Sequence, residues 1–65
     1  MKILVNGGWR DTRAGDLALA LQELGYADSV VATAVNGGFV PANERAGTLL
    51  ADGDRLEVLA PMQGG

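Results

Sequence analysis

The chain of 65 residues contains no cysteine and no histidine. Their absence excludes disulfides, zinc sites built from cysteine and histidine, and catalysis by a cysteine or histidine side chain. A chain of this length has room for one small domain, whose core only narrowly offsets the entropy lost on ordering the chain. Stability must therefore come from regular structure and packing alone.

Basic residues are also few, since five Lys and Arg stand against eight Asp and Glu, for a formal net charge of −3. The five are scattered along the chain as Lys2, Arg10, Arg13, Arg45 and Arg55. A nucleic-acid-binding domain carries a basic patch or stripe, so this distribution argues against a nucleic-acid partner. No stretch approaches the roughly 18 apolar residues of a membrane span, and the first apolar run is too short for a signal peptide. We therefore expect a soluble, cytoplasmic protein with no membrane partner.

Two identical strings, Val5–Gly8 and Val35–Gly38, each read Val-Asn-Gly-Gly. Asn-Gly between apolar runs predicts a β-hairpin whose turn requires positive φ. The predicted elements, in chain order, are strands over 1–6 and 9–12, a helix over 17–24, strands over 30–36 and 39–40, a single turn over 42–47, an extended segment over 48–50, and a strand over 55–59.

The predicted helix has a recognisable start and end. Asp16 is a good N-cap, and Gly25 stands where a left-handed residue would end the helix. Its apolar residues recur at the spacing of one helix face, at Leu17, Leu21 and Leu24, whereas Leu19 points away from that face.

The order β-β-α-β-β-β, with one helix across a mixed sheet, indicates an α+β fold. An N-terminal hairpin, a crossover helix and a closing strand parallel to the first are the features of the β-grasp, or ubiquitin-like, fold. We expect a four- to five-stranded mixed sheet with the helix on one face, formed by residues 1–60, and a flexible tail over 61–65 that ends in Gly-Gly.

Strand alternation assigns Ile3, Val5, Leu56 and Val58 to the core. The outward positions on neighbouring strands are then apolar as well, and they form a predicted partner-docking patch at Leu4, Ala32, Ala34 and Leu59. Scattered surface leucines, which are common in soluble proteins, are the alternative interpretation.

No set of side chains equips the chain for catalysis, so we expect it not to be an enzyme. The hydroxyl residues, with no histidine to activate them, are Thr12, Ser29, Thr33 and Thr48. Asp52 and Asp54 flank Gly53 and are typical of a polar turn rather than of an acid–base pair. Neither Gly-Gly pair has the glycine spacing, following helix and lysine of a phosphate-binding loop.

The terminal carboxylate of Gly65 is the remaining candidate group. Six residues from Ala60 to Gly65, at about 3.3 Å each, reach up to roughly 20 Å. Such a tail can thread a narrow channel into a partner's active site, and Gly64 leaves the channel unobstructed. The residues expected to lie in that channel are Met62, Gln63 and Gly64.

Several strings of the chain are informative in this order: Met1–Gly7, Leu24-Gly25, Val35–Gly37 followed by Val40-Pro41, Asp52–Val58 and Gly64-Gly65. Through these strings, nearly the whole chain resembles the ThiS family of sulfur carriers. Members often have Arg after the Val-Pro pair and Trp three residues later, where this chain has Ala42 and Arg45.

The resemblance implies a sulfur carrier of thiamine biosynthesis that binds no cofactor itself. A ubiquitin-activating-like adenylyltransferase, which uses ATP, would adenylate the Gly65 carboxylate. Sulfur from a cysteine desulfurase, carried as a persulfide, would convert it to a thiocarboxylate that donates sulfur to thiazole synthase. No metal site is expected.

Three alternatives remain open from the residues. The small subunit of molybdopterin synthase resembles the chain in fold and in its final Gly-Gly, although its members tend to be longer. A ubiquitin-like protein modifier would use the same terminus, with Lys2 as the only lysine for chain branching. A plain binding module would have an incidental tail.

Overall fold

The structure is a computed structural model that describes residues 1–27 and 29–60. The described elements are β1 (Lys2–Val5), β2 (Gly8–Asp11), α1 (Leu17–Glu23), β3 (Ala32–Val35), β4 (Gly38–Val40), a 3₁₀ helix (Ala42–Gly47) and β5 (Arg55–Leu59). The sheet order is β2-β1-β5-β3-β4. Strands β1 and β5 are parallel, and the other neighbours are antiparallel. The predicted mixed sheet, with the last strand beside and parallel to the first, is confirmed.

Both predicted hairpins form, and their turns have the backbone conformation that Asn-Gly favours. The φ angles are 48° and 85° at Asn6 and Gly7, and 50° and 84° at Asn36 and Gly37. Positive φ at both central residues defines a type I′ turn, whose twist matches that of the flanking strands. The two-residue turns set the strand register, pairing Val5 with Gly8 and Val35 with Gly38.

Helix α1 begins where the sequence predicts. The Asp16 carboxylate accepts the backbone N–H of Leu19 at 2.9 Å, which satisfies one of the unpaired donors of the first turn. The helix ends one residue earlier than predicted, with Leu24 as its C-cap, and Gly25 follows with φ 92°. Leu19 is 49% exposed, as its position opposite the apolar face predicts.

The core lies between α1 and one face of the sheet. Its buried apolar members are Ile3, Val5, Leu17, Leu21, Leu56 and Val58. Thr33 is also buried, and its hydroxyl donates to the carbonyl oxygen of Val40 at 2.8 Å. This cluster contains every residue that strand alternation assigned to the core.

The segment 48–50 is extended at Thr48, as expected, with φ −96° and ψ 102°, although it is not a strand of the sheet. Leu49 forms an isolated antiparallel bridge with Asp16. The segment lies outside the sheet because it bonds to the residues entering α1. The N–H of Leu17 donates to the Thr48 carbonyl at 2.9 Å, and the N–H of Leu50 donates to the Gly15 carbonyl at 3.0 Å.

Among the described residues, no helix has the length and apolar character needed to cross a membrane.

Candidate functional site

The predicted sulfur-carrying end of the chain lies outside the described residues. This applies to Gly65 and to the tail residues Met62, Gln63 and Gly64. The described part of the candidate site is therefore the surface from which the tail departs, at the end of β5.

The sheet has one surface turned away from α1, which we term the open face. Its position follows from the strand register, because directly paired residues share a face. Residues on the open face are Lys2, Leu4, Trp9, Asp11, Ala32, Ala34, Phe39, Arg55, Glu57 and Leu59.

All four residues of the predicted docking patch lie on the open face, although they do not form one cluster. Leu59 pairs directly with Ala32, and Ala34 lies two residues further along β3. Leu4 lies on β1. Because β5 lies between β1 and β3, Leu4 is two strand spacings, or about 10 Å, from β3. The patch thus consists of three neighbours and one residue across the central strand, and its role in docking remains a prediction.

Two aromatic residues of the open face were absent from the predicted patch. Trp9 pairs with Leu4 and is 61% exposed, and Phe39 pairs with Ala34 and is 70% exposed. The signal that could have located them is the turn length. A two-residue Asn-Gly turn fixes which residues face each other, so each aromatic residue must share a face with its predicted outward partner.

An ion pair occupies the centre of the open face, between its apolar flanks. The Arg55 Nε and Glu57 Oε1 atoms are 3.9 Å apart, and both side chains are about half exposed. A surface pair of this length contributes little to stability. Both charges therefore remain available to a partner that covers the face.

An apolar groove lies at the end of β5 that leads to the tail. Its volume is about 340 Å³, and it is lined by Val30, Val31, Ala32, Leu59 and Ala60. Leu59 is 65% exposed there. Ala60, the last described residue, borders the groove, so this apolar surface adjoins the root of the tail.

A second hollow, of about 400 Å³, lies on a different part of the surface. Two hydrogen bonds join residues that line it. The N-terminal ammonium donates to the Thr12 carbonyl at 3.0 Å, and the Arg13 N–H donates to the Glu23 carboxylate at 3.3 Å.

The 3₁₀ helix contains Ala42 and Arg45, the two positions that differ from the usual residues of the family, and hydrogen bonds of Arg45 attach it to the sheet. The Arg45 guanidinium donates to the Val31 carbonyl at 2.7 Å and to the Thr33 hydroxyl at 3.2 Å. It therefore fixes the 3₁₀ helix against β3.

The Asp52–Asp54 segment is a turn, as predicted, with Gly53 at φ 89°. Its carboxylates accept backbone N–H groups, from Lys2 at 2.7 Å for Asp52 and from Ala51 at 2.8 Å for Asp54. The side-chain amide of Asn36 also donates to Asp54, at 3.0 Å. The two hydrogen bonds to Asp54, first that from Asn36 and then that from Ala51, lower its pKa because they favour the charged form.

The lowered pKa of Asp54 predicts a pH dependence of stability. A folded-state pKa below the unfolded value stabilises the fold above the unfolded pKa, near 4, and this contribution is lost as the pH falls through the folded value. Wild type should therefore have a larger free energy of unfolding than Asp54→Asn, and this difference should be greater at pH 7 than at pH 3. Urea denaturation at both values measures it, with Asp11→Asn as the control. A difference that does not change with pH would contradict the prediction.

Across residues 1–27 and 29–60, no group of three or more acidic side chains converges as a metal-ligand set would.

Comparison with known proteins gives a consistent result. The model of the ThiS family matches residues 3–65. A crystal structure of the thiamine biosynthesis protein ThiS from Geobacter metallireducens is 29% identical to this chain, covers 100% of both chains and superposes with a TM-score of 0.83. An NMR structure of a thiamine biosynthesis protein from the same organism is 28% identical, with a TM-score of 0.79, covering 100% of this chain and 88% of that one. Comparison with curated proteins gives no match.

Proposed function

The chain belongs to the ThiS family, and we propose that it is a sulfur carrier of thiamine biosynthesis that holds the sulfur atom on its Gly65 carboxylate. The observation that carries the proposal is the family match, which runs to residue 65 and so includes the Gly64-Gly65 pair.

The first proposed step makes the carboxylate reactive. A carboxylate oxygen of Gly65 attacks the α-phosphorus of ATP in a ubiquitin-activating-like adenylyltransferase, and pyrophosphate leaves. The resulting acyl adenylate is an electrophile at the carbonyl carbon. Activation therefore requires a terminus that reaches the partner's active site, and it requires no catalytic side chain from the carrier.

The second proposed step introduces sulfur. The terminal sulfur of a persulfide, generated by a cysteine desulfurase, attacks the carbonyl carbon and AMP leaves. A partner thiol then attacks the other sulfur of the acyl disulfide, which forms a new disulfide and releases the Gly65 thiocarboxylate. Thiazole synthase is the proposed acceptor of that sulfur.

Two features of the chain support a carrier whose partners supply the catalytic groups. Without cysteine, it has no side chain that forms a persulfide, and without histidine, it lacks the side chain that most often activates a nucleophile. The open face also has exposed apolar surface at the end of β5, at Leu59 and its partner Ala32, where a docked partner would be close to the tail.

Intact-protein mass spectrometry tests the proposal. The purified chain is incubated with the adenylyltransferase, ATP, cysteine desulfurase and cysteine, with a matched reaction lacking ATP. We expect an ATP-dependent mass increase equal to the exchange of one oxygen atom for sulfur, located on the C-terminal peptide. An unchanged mass would contradict the proposal and favour a plain binding module.

Two other outcomes would identify the alternatives. Covalent adducts between the chain and lysines of other proteins would favour a protein modifier. Complementation of a molybdenum-cofactor mutant, but not of a thiazole auxotroph, would favour a carrier of the molybdopterin synthase type.

A further inference from the structure

The type I′ turns begin at Asn6 and Asn36, and both residues also bind the last strand. In each case the side-chain amide forms a hydrogen bond with the backbone of β5, just past the end of the strand that pairs with it there, β1 for Asn6 and β3 for Asn36. Asn36 binds the start of β5, and Asn6 binds the end that leads to the tail.

Asn6 makes a reciprocal pair of hydrogen bonds with Val58. The Val58 N–H donates to Asn6 Oδ1 at 2.9 Å, and Asn6 Nδ2 donates to the Val58 carbonyl at 3.0 Å. Towards the C-terminal end of β5, the backbone hydrogen bonds with the β1 side end at the Asn6 N–H, which donates to the Leu56 carbonyl at 3.0 Å. The amide side chain thus extends the pairing along β5 by two residues after β1 has ended.

These two bonds satisfy backbone groups that are costly to leave unpaired. Val58 is 5% exposed, so its N–H and carbonyl lie at the edge of the core. On the other side of β5, Leu59 pairs with Ala32 of β3. Asn6 and β3 together therefore hold both edges of β5 up to the residues just before Pro61.

We propose that Asn6 is a positioning residue for the sulfur-loading reaction. By holding the end of β5 at Val58, it fixes the point of the domain from which residues 61–65 continue, and so raises the frequency with which the Gly65 carboxylate reaches a reactive position in the partner's active site. Asn6 does not touch the reacting atoms. The inference rests on the proposed function, and it adds to that function a residue far from the terminus in sequence.

The chain contains a matched control for this inference. Glycine adopts φ near 50° without strain, so Asn6→Gly and Asn36→Gly both preserve their turns and both remove an amide from β5. Asn36→Gly removes the bond from the Arg55 N–H, at 2.9 Å, and the bond to the Asp54 carboxylate, at 3.0 Å, where β5 begins. Each variant thus loses two hydrogen bonds of one side-chain amide, and the two differ in which end of β5 they release.

Hydrogen exchange provides a readout that does not depend on the partner. In Asn6→Gly, we expect the Val58 amide to exchange roughly tenfold or more faster than in wild type, because its only acceptor in the described structure is removed. In Asn36→Gly, the Val58 amide should exchange as slowly as in wild type, once any change in global unfolding has been taken into account. Equal protection of Val58 in both variants would overturn the structural half of the inference.

Adenylation kinetics, followed as pyrophosphate release by the adenylyltransferase, test the functional half. For Asn6→Gly we expect kcat to fall about tenfold with little change in the KM for the carrier, because the open face is unaltered while the carboxylate is less often aligned. Asn36→Gly should keep a kcat within about twofold of wild type. If both variants have equal kcat, the positioning role is wrong although the carrier function stands; if wild type itself releases no pyrophosphate, the proposed function fails instead.

A second variant keeps the test decisive if Asn6→Gly does not fold. Asn6→Asp retains an acceptor for the Val58 N–H and loses the donor to the Val58 carbonyl. Asn36→Gly remains the control, because an aspartate at position 36 would face the Asp54 carboxylate. We expect a smaller fall in kcat for Asn6→Asp than for Asn6→Gly, in the same direction. A kcat equal to that of Asn36→Gly would again overturn the proposal.

Discussion

Deletion of Gly65 is expected to abolish sulfur loading of the chain while leaving the domain folded. The deletion shortens the tail by one residue, or about 3.5 Å, so the new carboxylate on Gly64 falls short of the position reached by the original one. Reacting atoms must approach to about 3–3.5 Å before bond formation, and a displacement of even 1 Å is costly. Both pyrophosphate release and the sulfur-dependent mass increase should fall below detection.

Two companion variants separate reach from other effects. Gly65→Ala keeps the length of the tail and adds a Cβ next to the reacting carbonyl, so we expect slowed but measurable loading. Leu19→Asp alters an exposed position of α1, on the other side of the domain, and should load like wild type. Continued thiocarboxylate formation on the shortened chain would show that the terminal-carboxylate mechanism is wrong.

Local sequence patterns predicted most of the fold. The Asn-Gly pairs at Asn6 and Asn36 require positive φ, and both turns form as expected because few other residue pairs adopt that conformation easily. The alternation of Leu56 and Val58 located the core side of β5 for a similar reason, since a strand exposes every second residue to the same face. In these places the local preference agrees with the tertiary structure.

Contacts between residues distant in sequence were not predictable in the same way. The bonds of Asn6 to Val58 join residues 52 positions apart, and no periodicity or spacing encodes them. Likewise, the extended segment 48–50 bonds to Gly15 and Leu17 at the entrance to α1 rather than to a strand of the sheet, and no local pattern encodes that choice of partner. Such assignments depend on which backbone groups are left free once the other elements have packed.

The apolar residues of the open face were predicted in part. Alternation placed Leu4 and Leu59 on this face, and the register agrees with that position. Alternation within single strands does not locate Trp9 and Phe39, because it is the hairpin pairing that brings these aromatic side chains onto the same face. The tail itself lies outside the described residues, so its proposed role is supported by the family match and by the chemistry of a terminal carboxylate.

Substitution of Leu59 by aspartate is expected to weaken binding to the adenylyltransferase by about 10- to 100-fold. Leu59 is 65% exposed, pairs with Ala32 and lines the apolar groove beside Ala60. A partner that covers this surface would bury the new carboxylate without a counter-charge, whereas the free protein keeps it in water. The cost should therefore fall on the complex, and the unfolding free energy of the free protein should change by less than about 1 kcal/mol.

Leu19→Asp is the matched control, because it introduces the same charge at an exposed leucine on the opposite side of the domain. Its position in the first turn of α1 even favours an acidic residue, so stability should not fall. Isothermal titration calorimetry with the adenylyltransferase should give wild-type affinity for Leu19→Asp and weakened affinity for Leu59→Asp. If both variants lose affinity equally, the effect is one of net charge; if neither does, the partner docks elsewhere than on the open face.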